Sequence, residues 1–341
     1  MMEEAIRFGV LGVGRIGLFH CDRVRATRGF ALVAASSRSE ELRAEAGRRF
    51  GIVTYASHEE LIADRSVQWL VIATTSDQHY RWAMDAIECG KNLVIEKPIA
   101  ASYDEARQIY DKADAKGVKV LPHQSRRWDR DFLLVQRIIH DGLVGEAYRI
   151  ESRRASYSTG WAGWGAQGMA NPWRLKKEYG GGMINDWAPH LVDQVLLLAG
   201  SMPVSLNAWQ GGKIWTTEVD DHFWAELVFG NGLSCRIEAS NNHRIPQPRW
   251  SVVGTKGTFQ VRGEQSDSWS EGELRSEFHG VPETRRFDFA GDELTDAFYP
   301  ALAESLRTSD ALPITREQVL SVMKVIDRIR QSAAQGGSIT V

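Results

Sequence analysis

The chain has 341 residues, 43% hydrophobic and 25% charged, the profile of a soluble globular protein long enough for two domains. Its 41 basic and 44 acidic residues leave a formal charge of −3, so no strong field draws it to nucleic acid or to a membrane surface, and Arg126-Arg127 and Arg153-Arg154 are too short to change that. No apolar run approaches the ~20 residues that span a bilayer. A strand pattern begins close behind Met1, which leaves no room for a secretion signal, and Cys21, Cys89 and Cys235 have neither metal nor redox spacing. The expectation is a cytoplasmic protein with idle thiols and no metal site.

Ile6–Leu11 reads as a buried strand. It runs into Gly12-Val13-Gly14-Arg15-Ile16-Gly17 and then a helical pattern through Arg25. This is G-x-G-x-x-G in the strand–turn–helix setting that gives the motif meaning: Gly12 for the turn, Gly14 for backbone approach to a pyrophosphate, Gly17 for close helix packing. The helix start, with Arg15 and Ile16, offers free N–H groups to phosphates. A glycine-rich turn without a ligand is the plainer alternative. Phe30–Ala35 is a second strand, followed by Ser36-Ser37-Arg38 where an NAD-binding fold usually carries a carboxylate for the ribose hydroxyls. Ser37 and Arg38 suit a 2′-phosphate instead, so NADP is expected ahead of NAD, with a solvated loop cation as the alternative for Arg38.

Gln68–Ala73 is a third strand leading into Thr74-Thr75-Ser76-Asp77-Gln78-His79. Strand ends of open parallel sheets bind ligands, so Thr74 and Ser76 are candidate cofactor contacts. Asp77 reads as a helix cap. His79 is either a further cofactor neighbour or a satisfied structural histidine. Asn92–Ile95 is a fourth strand ending in Glu96-Lys97-Pro98, which adds Glu96 and Lys97 to the cofactor side. A helix over Tyr103–Lys116 and a strand over Val118–Pro122 follow. Strands alternating with helices predict a doubly wound parallel sheet, a Rossmann domain over residues 1–125.

From Arg126 the pattern changes. A helix near Asp131–Asp141 precedes a strand near Ala147–Arg154, and tryptophans cluster at 161, 164, 173 and 187. Gly180-Gly181-Gly182 then leads into Met183-Ile184-Asn185-Asp186-Trp187-Ala188-Pro189-His190. A helix start is expected here, with Asn185 or Asp186 as cap and Pro189 in the first turn. Asp186 and His190 share a helix face. Alternation over 222–229 and 233–240, joined by Asn231-Gly232, predicts a hairpin. Strands near Trp250–Val253 and Thr258–Val261 follow, then a polar Gly263–Gly280 read as a loop or sheet edge. Glu293–Leu306 and Arg316–Ser332 are closing helices that can pack back on the first domain. Residues 126–341 are therefore expected to form an α+β domain with a large, mainly antiparallel open sheet.

A nucleotide fold, then Glu96-Lys97-Pro98, then Gly-Gly-Gly with Asp186 and His190, resembles the Gfo/Idh/MocA oxidoreductase family. Gln124–Phe132 is similar to the segment joining the domains in its NADP-linked scyllo-inositol dehydrogenase branch. The resemblance implies hydride transfer between a nicotinamide and a secondary hydroxyl of a cyclitol or pyranose sugar, with Lys97, Asp186 and His190 catalytic and a cis peptide before Pro98. It implies Arg126 as a substrate contact, with a structural ion pair as the alternative, and an open sheet face joining subunits as a homodimer or homotetramer. The chain departs from the family at Thr75-Ser76, often Pro-Asn, and at Ala188, often Gly.

On this reading His190 is the base, since an unperturbed imidazole titrates near about 6.5. Lys97 steadies charge on the reacting oxygen, and Asp186 orients His190 or grips a neighbouring hydroxyl. Trp161, Trp164 and Trp173 offer an aromatic wall for a sugar ring. Asp193 lies on the His190 face or pairs with a neighbouring cation, and His243 either reaches the site or is a plain loop histidine after a strand. Two rivals remain: a cofactor-retaining glycosidase or sugar-modifying enzyme, which would release no free NADPH, and a non-catalytic sensor, which would bind nucleotide without turnover.

Overall fold

Strands made wholly of apolar residues need cover on both faces, and the first sheet is built from such strands. The computed structural model describes residues 5–157, 173–212, 214–263, 269–288, 297–308 and 311–341. The chain divides into two units: Met1–Gln124 with Glu178–Gly180 and Asp296–Leu320, and Ser125–Lys177 with Gly181–Thr295 and Ser321–Val341.

In the first unit β1 (Ile6–Leu11), α1 (Arg15–Ala26), β2 (Phe30–Ser36), α2 (Glu40–Phe50), β3 (Val53–Tyr55), α3 (His58–Ala63), β4 (Trp69–Ile72), α4 (His79–Glu88), β5 (Asn92–Ile95), α5 (Tyr103–Lys116) and β6 (Val120–Pro122) alternate. The strands form one parallel sheet of order β3-β2-β1-β4-β5-β6. Leu70, Val71 and Ile72 of β4 and Leu93, Val94 and Ile95 of β5 are fully buried, so truncating one of the leucines or isoleucines to Ala would cost roughly 2–5 kcal/mol. The strand order reverses between β1 and β4, the crevice where such sheets take ligands. The helix Phe298–Thr308 completes this unit with Phe298, Tyr299 and Leu302 fully buried. The described part of this helix starts later than expected, with Pro300 in its first turn; residues 293–296 lie outside the described residues.

The second unit holds α6 (Arg130–His140), β7 (Ala147–Ala155), α7 (Met183–Ala199), β8 (Pro203–Gly211), β9 (His222–Phe229), β10 (Ser234–Ser240), β11 (Trp250–Gly254), β12 (Gly257–Gly263), β13 (Trp269–Phe278), β14 (Val281–Asp288) and β15 (Ile339–Thr340). These strands form a nine-stranded sheet, β14-β13-β12-β11-β7-β10-β9-β8-β15, antiparallel except between β7 and β10. Phe223, Ala225 and Leu227 of β9 and Cys235, Ile237 and Ala239 of β10 are fully buried on the face that α7 covers. Of Gly263–Gly280, expected as a loop or sheet edge, Trp269–Phe278 is strand β13 near the sheet margin. Its charged residues Glu273 and Arg275 sit on β13, beside the outermost β14, and charges of this kind are what exposed sheet margins carry. Among the described residues no helix is long and apolar enough to cross a membrane.

Candidate active site

In the first unit the predicted cofactor residues stand at the carboxyl ends of neighbouring parallel strands. Gly12 has φ +96°, and a Cβ there would lie 2.9 Å from Ala73 O; a Cβ on Gly17 would lie 2.2 Å from Gly12 O. Both glycines are therefore required by the turn itself. Gly14 differs: a Cβ there would meet no heavy atom within 4 Å, and as N-cap of α1 it gives the helix no side-chain cap. The helix start, with exposed Arg15 and half-buried Ile16, thus stands beside open space. Beyond β2, Ser37 is buried and Arg38 exposed. Arg43 donates to the carbonyls of both, at 2.7 and 3.0 Å, and so shapes this loop. Burial, and then the Arg38 charge, lowers the His58 pKa.

Beyond β4, Thr74 is half-buried and Ser76 buried. Asp77 makes no capping bond to the turn Ser76–Gln78 or to α4, contrary to expectation. His79 is fully enclosed, with Nδ1 2.7 Å from Pro98 O and Nε2 3.3 Å from Thr74 O. Burial lowers its pKa, which leaves one N–H to bond a backbone carbonyl. It braces the two strand ends.

Beyond β5 the half-buried Lys97 precedes Pro98 through a cis peptide. Glu96 faces two histidines. His20 Nε2 lies 3.0 Å and His123 Nδ1 2.9 Å from its Oε1, and Lys97 N–H donates to its Oε2 at 3.2 Å. The Tyr299 hydroxyl lies 2.7 Å from His20 Nδ1. An ionised carboxylate only accepts, so both histidines donate to it and Tyr299 donates to His20, which fixes the tautomers. Burial by itself would raise the Glu96 pKa, but the hydrogen bonds from His123 and His20 hold it well below its ordinary value. The network fixes the backbone that carries Lys97. Motif reading passed over His20, His123 and Tyr299. The signal for His123 is register: Ile95 is opposite Pro122, so the next residues along, Glu96 and His123, are neighbours.

In the second unit α7 starts at Met183, with Gly182 as N-cap at φ +104°. Neither Asn185 nor Asp186 caps it. The Asp220 carboxylate does, accepting the Ile184 N–H at 2.8 Å, and a Cβ on Gly182 would lie 2.4 Å from Asp220 Oδ1. Burial raises Asp220 to about 6 against these backbone donors. Pro189 lies inside the helix, beyond the first turn. It cannot supply the N–H that the Asn185 carbonyl would take, so packing overrides propensity here.

Asp186 and His190 follow one another along α7. Arg174 Nε lies 3.5 Å from Asp186 Oδ1, and the Arg174 guanidinium sits 4.4 Å from the Trp173 ring centre. The buried His190 ring packs 5.8 Å from that of Trp187, and Arg126 and Arg154 lie 4.5 and 5.0 Å from the Trp187 ring. Arg174 thereby links Trp173 to Asp186, and Trp187 links His190 to Arg126. Arg126 also pairs with Asp129 at 2.9 Å, and burial raises Asp129 to about 6. Asp193 takes a two-pronged bond from Arg127 at 2.8 and 2.6 Å, which makes it structural. Arg249, fully buried, reaches Gln194 Oε1 at 2.7 Å and Asp131 Oδ2 at 3.3 Å, and burial lowers it to about 10 despite Asp131. Gln194 in turn donates to Arg126 O at 2.8 Å, tying α7 to the Arg126 segment. Trp161 and Trp164 lie outside the described residues. His243 joins His222 and Glu238, apart from these contacts.

A family model described as an oxidoreductase family with an NAD-binding Rossmann fold matches residues 6–124, and the GFO/IDH/MocA C-terminal domain matches residues 132–260. The chain is 27% identical over 362 residues to scyllo-inositol 2-dehydrogenase (NADP(+)) IolW of Bacillus subtilis (strain 168), covering 98% of this chain and 96% of that protein. It is 26% identical over 303 residues to levoglucosan dehydrogenase of Pseudarthrobacter phenanthrenivorans, covering 77% of this chain and 75% of that protein. The crystal structure of an NAD-binding protein from Listeria innocua superposes with a TM-score of 0.86 at 30% identity, over 99% of this chain and 97% of that one. With both halves matched and the strand-end motifs in their expected places, the chain belongs to the GFO/IDH/MocA family of oxidoreductases.

Proposed function

We propose that this protein is an NADP-linked dehydrogenase acting on a secondary hydroxyl of a cyclitol or pyranose sugar. The observation that carries the reading lies in the first unit: Lys97 follows β5 on the same edge of the parallel sheet as the Gly12–Gly17 turn, with its backbone fixed by Glu96. The open space at Gly14 and the uncapped start of α1 fit a dinucleotide, with Gly12, Gly14, Arg15, Ile16 and Gly17 at the pyrophosphate and Thr74 and Ser76 further along that edge. Ser37 and Arg38, with no carboxylate beside them, favour a 2′-phosphate. Two relatives, one named for an inositol with NADP and one for an anhydrosugar, support the substrate class.

The nicotinamide, when bound, supplies the hydride acceptor or donor. Lys97 donates a hydrogen bond to the substrate oxygen and stabilises the negative charge that develops there. His190 takes the hydroxyl proton. Asp186, one turn earlier and paired with Arg174, orients the imidazole or holds a neighbouring hydroxyl. Arg126 and Trp173 contribute to the substrate wall.

A panel of polyols and sugars with NADP and NAD, followed by absorbance of the reduced cofactor, tests this reading. Turnover with NADP on a cyclitol or pyranose is expected, and Lys97→Ala and His190→Ala should each lower it by about 10²–10⁴-fold with the fold intact. Normal rates in both variants would remove the assignment, and a clear preference for NAD would overturn the roles of Ser37 and Arg38.

A further inference from the structure

The second unit contains a histidine–carboxylate–histidine group that the reaction does not use. His222 opens β9, Glu238 lies on β10 and His243 follows that strand. His222 Nε2 is 2.9 Å from Glu238 Oε1, and His243 Nε2 is 3.8 Å from the same oxygen. All three atoms lie within 4.8 Å of one another. Strand alternation turns Glu238 away from the Ile237 and Ala239 face that α7 covers. The side chains of His222 and His243 remain 22% and 28% exposed, so the group is reachable from solvent.

The His243 ring is the informative part. Its Nε2 lies beyond hydrogen-bond reach of Glu238 yet within 4.8 Å of both other ligand atoms. Two ligands of one tetrahedral zinc, with bonds of about 2.0–2.2 Å, stand roughly 3.3–3.6 Å apart. The gaps at Glu238 bracket that spacing.

We propose that His222 Nε2, His243 Nε2 and Glu238 Oε1 bind a divalent transition cation, Zn²⁺ fitting best, with a fourth position left for water or an incoming donor. Two imidazoles and one carboxylate are the borderline donor set that such ions take. Arg153 Nε and Arg236 Nε lie 3.4 and 3.7 Å from Glu238 Oε2, so they hold that oxygen and leave Oε1 to coordinate. Their charge opposes the ion, and Glu151, paired with Arg153, offsets part of it.

The test uses the full chain, stripped with a chelator and titrated with Zn²⁺ by calorimetry and with Co²⁺ by visible absorption. One Zn²⁺ per chain is expected, displacing Co²⁺ and its absorption band. His243→Ala and Glu238→Gln should each weaken Zn²⁺ by more than the roughly 10–100-fold typical of an outer-shell change. The circular dichroism of the metal-free variants verifies folding, and either variant alone suffices if the other fails to fold. Lack of Zn²⁺ binding by the wild-type chain, or unchanged binding in a folded variant, would overturn the proposal.

Discussion

The two histidine–glutamate–histidine groups share a composition and differ in completeness. In the first, Glu96 receives a hydrogen bond from each ring, and Tyr299 occupies the remaining nitrogen of His20. In the second, Glu238 receives one short bond from His222, while the His243 Nε2 lies 3.8 Å away. A closed network positions backbone and resists exchange, because every change leaves a buried donor or acceptor stranded. An open one keeps capacity for something else. The same three side chains thus serve to fix a strand end in one place and to offer ligands in the other.

The contrast breaks most readily at Glu96. Glu96→Leu removes the acceptor for two imidazole N–H groups, at about 1–3 kcal/mol each, whereas Glu238→Gln should cost less than about 1 kcal/mol because its partners are partly exposed. Equal losses in urea unfolding would dissolve the distinction. Tyr299→Phe, which deletes one buried bond, is expected to cost about 0.5–1.5 kcal/mol, and its Zn²⁺ affinity should match wild type. Acid sharpens the comparison further. The Glu96 pKa is held well below its ordinary value, so its contribution is full above the unfolded pKa near about 4.3 and disappears as pH falls through the folded value. Stability plotted against pH should therefore lose much of its slope below about pH 4.3 in Glu96→Leu. The smallest effect is at His243, whose depressed pKa gives stability that is complete above about pH 6.5 and declines as pH falls below it. His243→Ala should remove that shallow slope, as read from denaturant midpoints.

Much of this architecture could be read from residues in order. β1, β5, α5 and β9 begin and end where periodicity and turn residues placed them, because each is a run of one period bounded by polar or glycine positions. What escaped reading depended on distant partners. The cap of α7 comes from Asp220, across a long stretch of chain, so Asn185 and Asp186 looked like better candidates than they are. Pro189 is tolerated mid-helix because packing outweighs its missing donor. β13 reads as polar because it lies near a sheet margin. At the site, Glu96 and His79 each brace a strand end. Their partners His123 and Pro98 become visible only once β5 and β6 are neighbours.

Tyr299 carries a consequence for anyone wishing to divide the molecule. It comes from a helix far along the chain, yet its hydroxyl completes the bonding of His20, and Phe298 packs 4.7 Å from the His123 ring. A fragment stopped at Gln124 would contain every strand of the first sheet and still expose an unsatisfied imidazole and a vacated aromatic hollow. Excising the nucleotide half as an independent piece therefore means grafting the 297–320 segment back onto it.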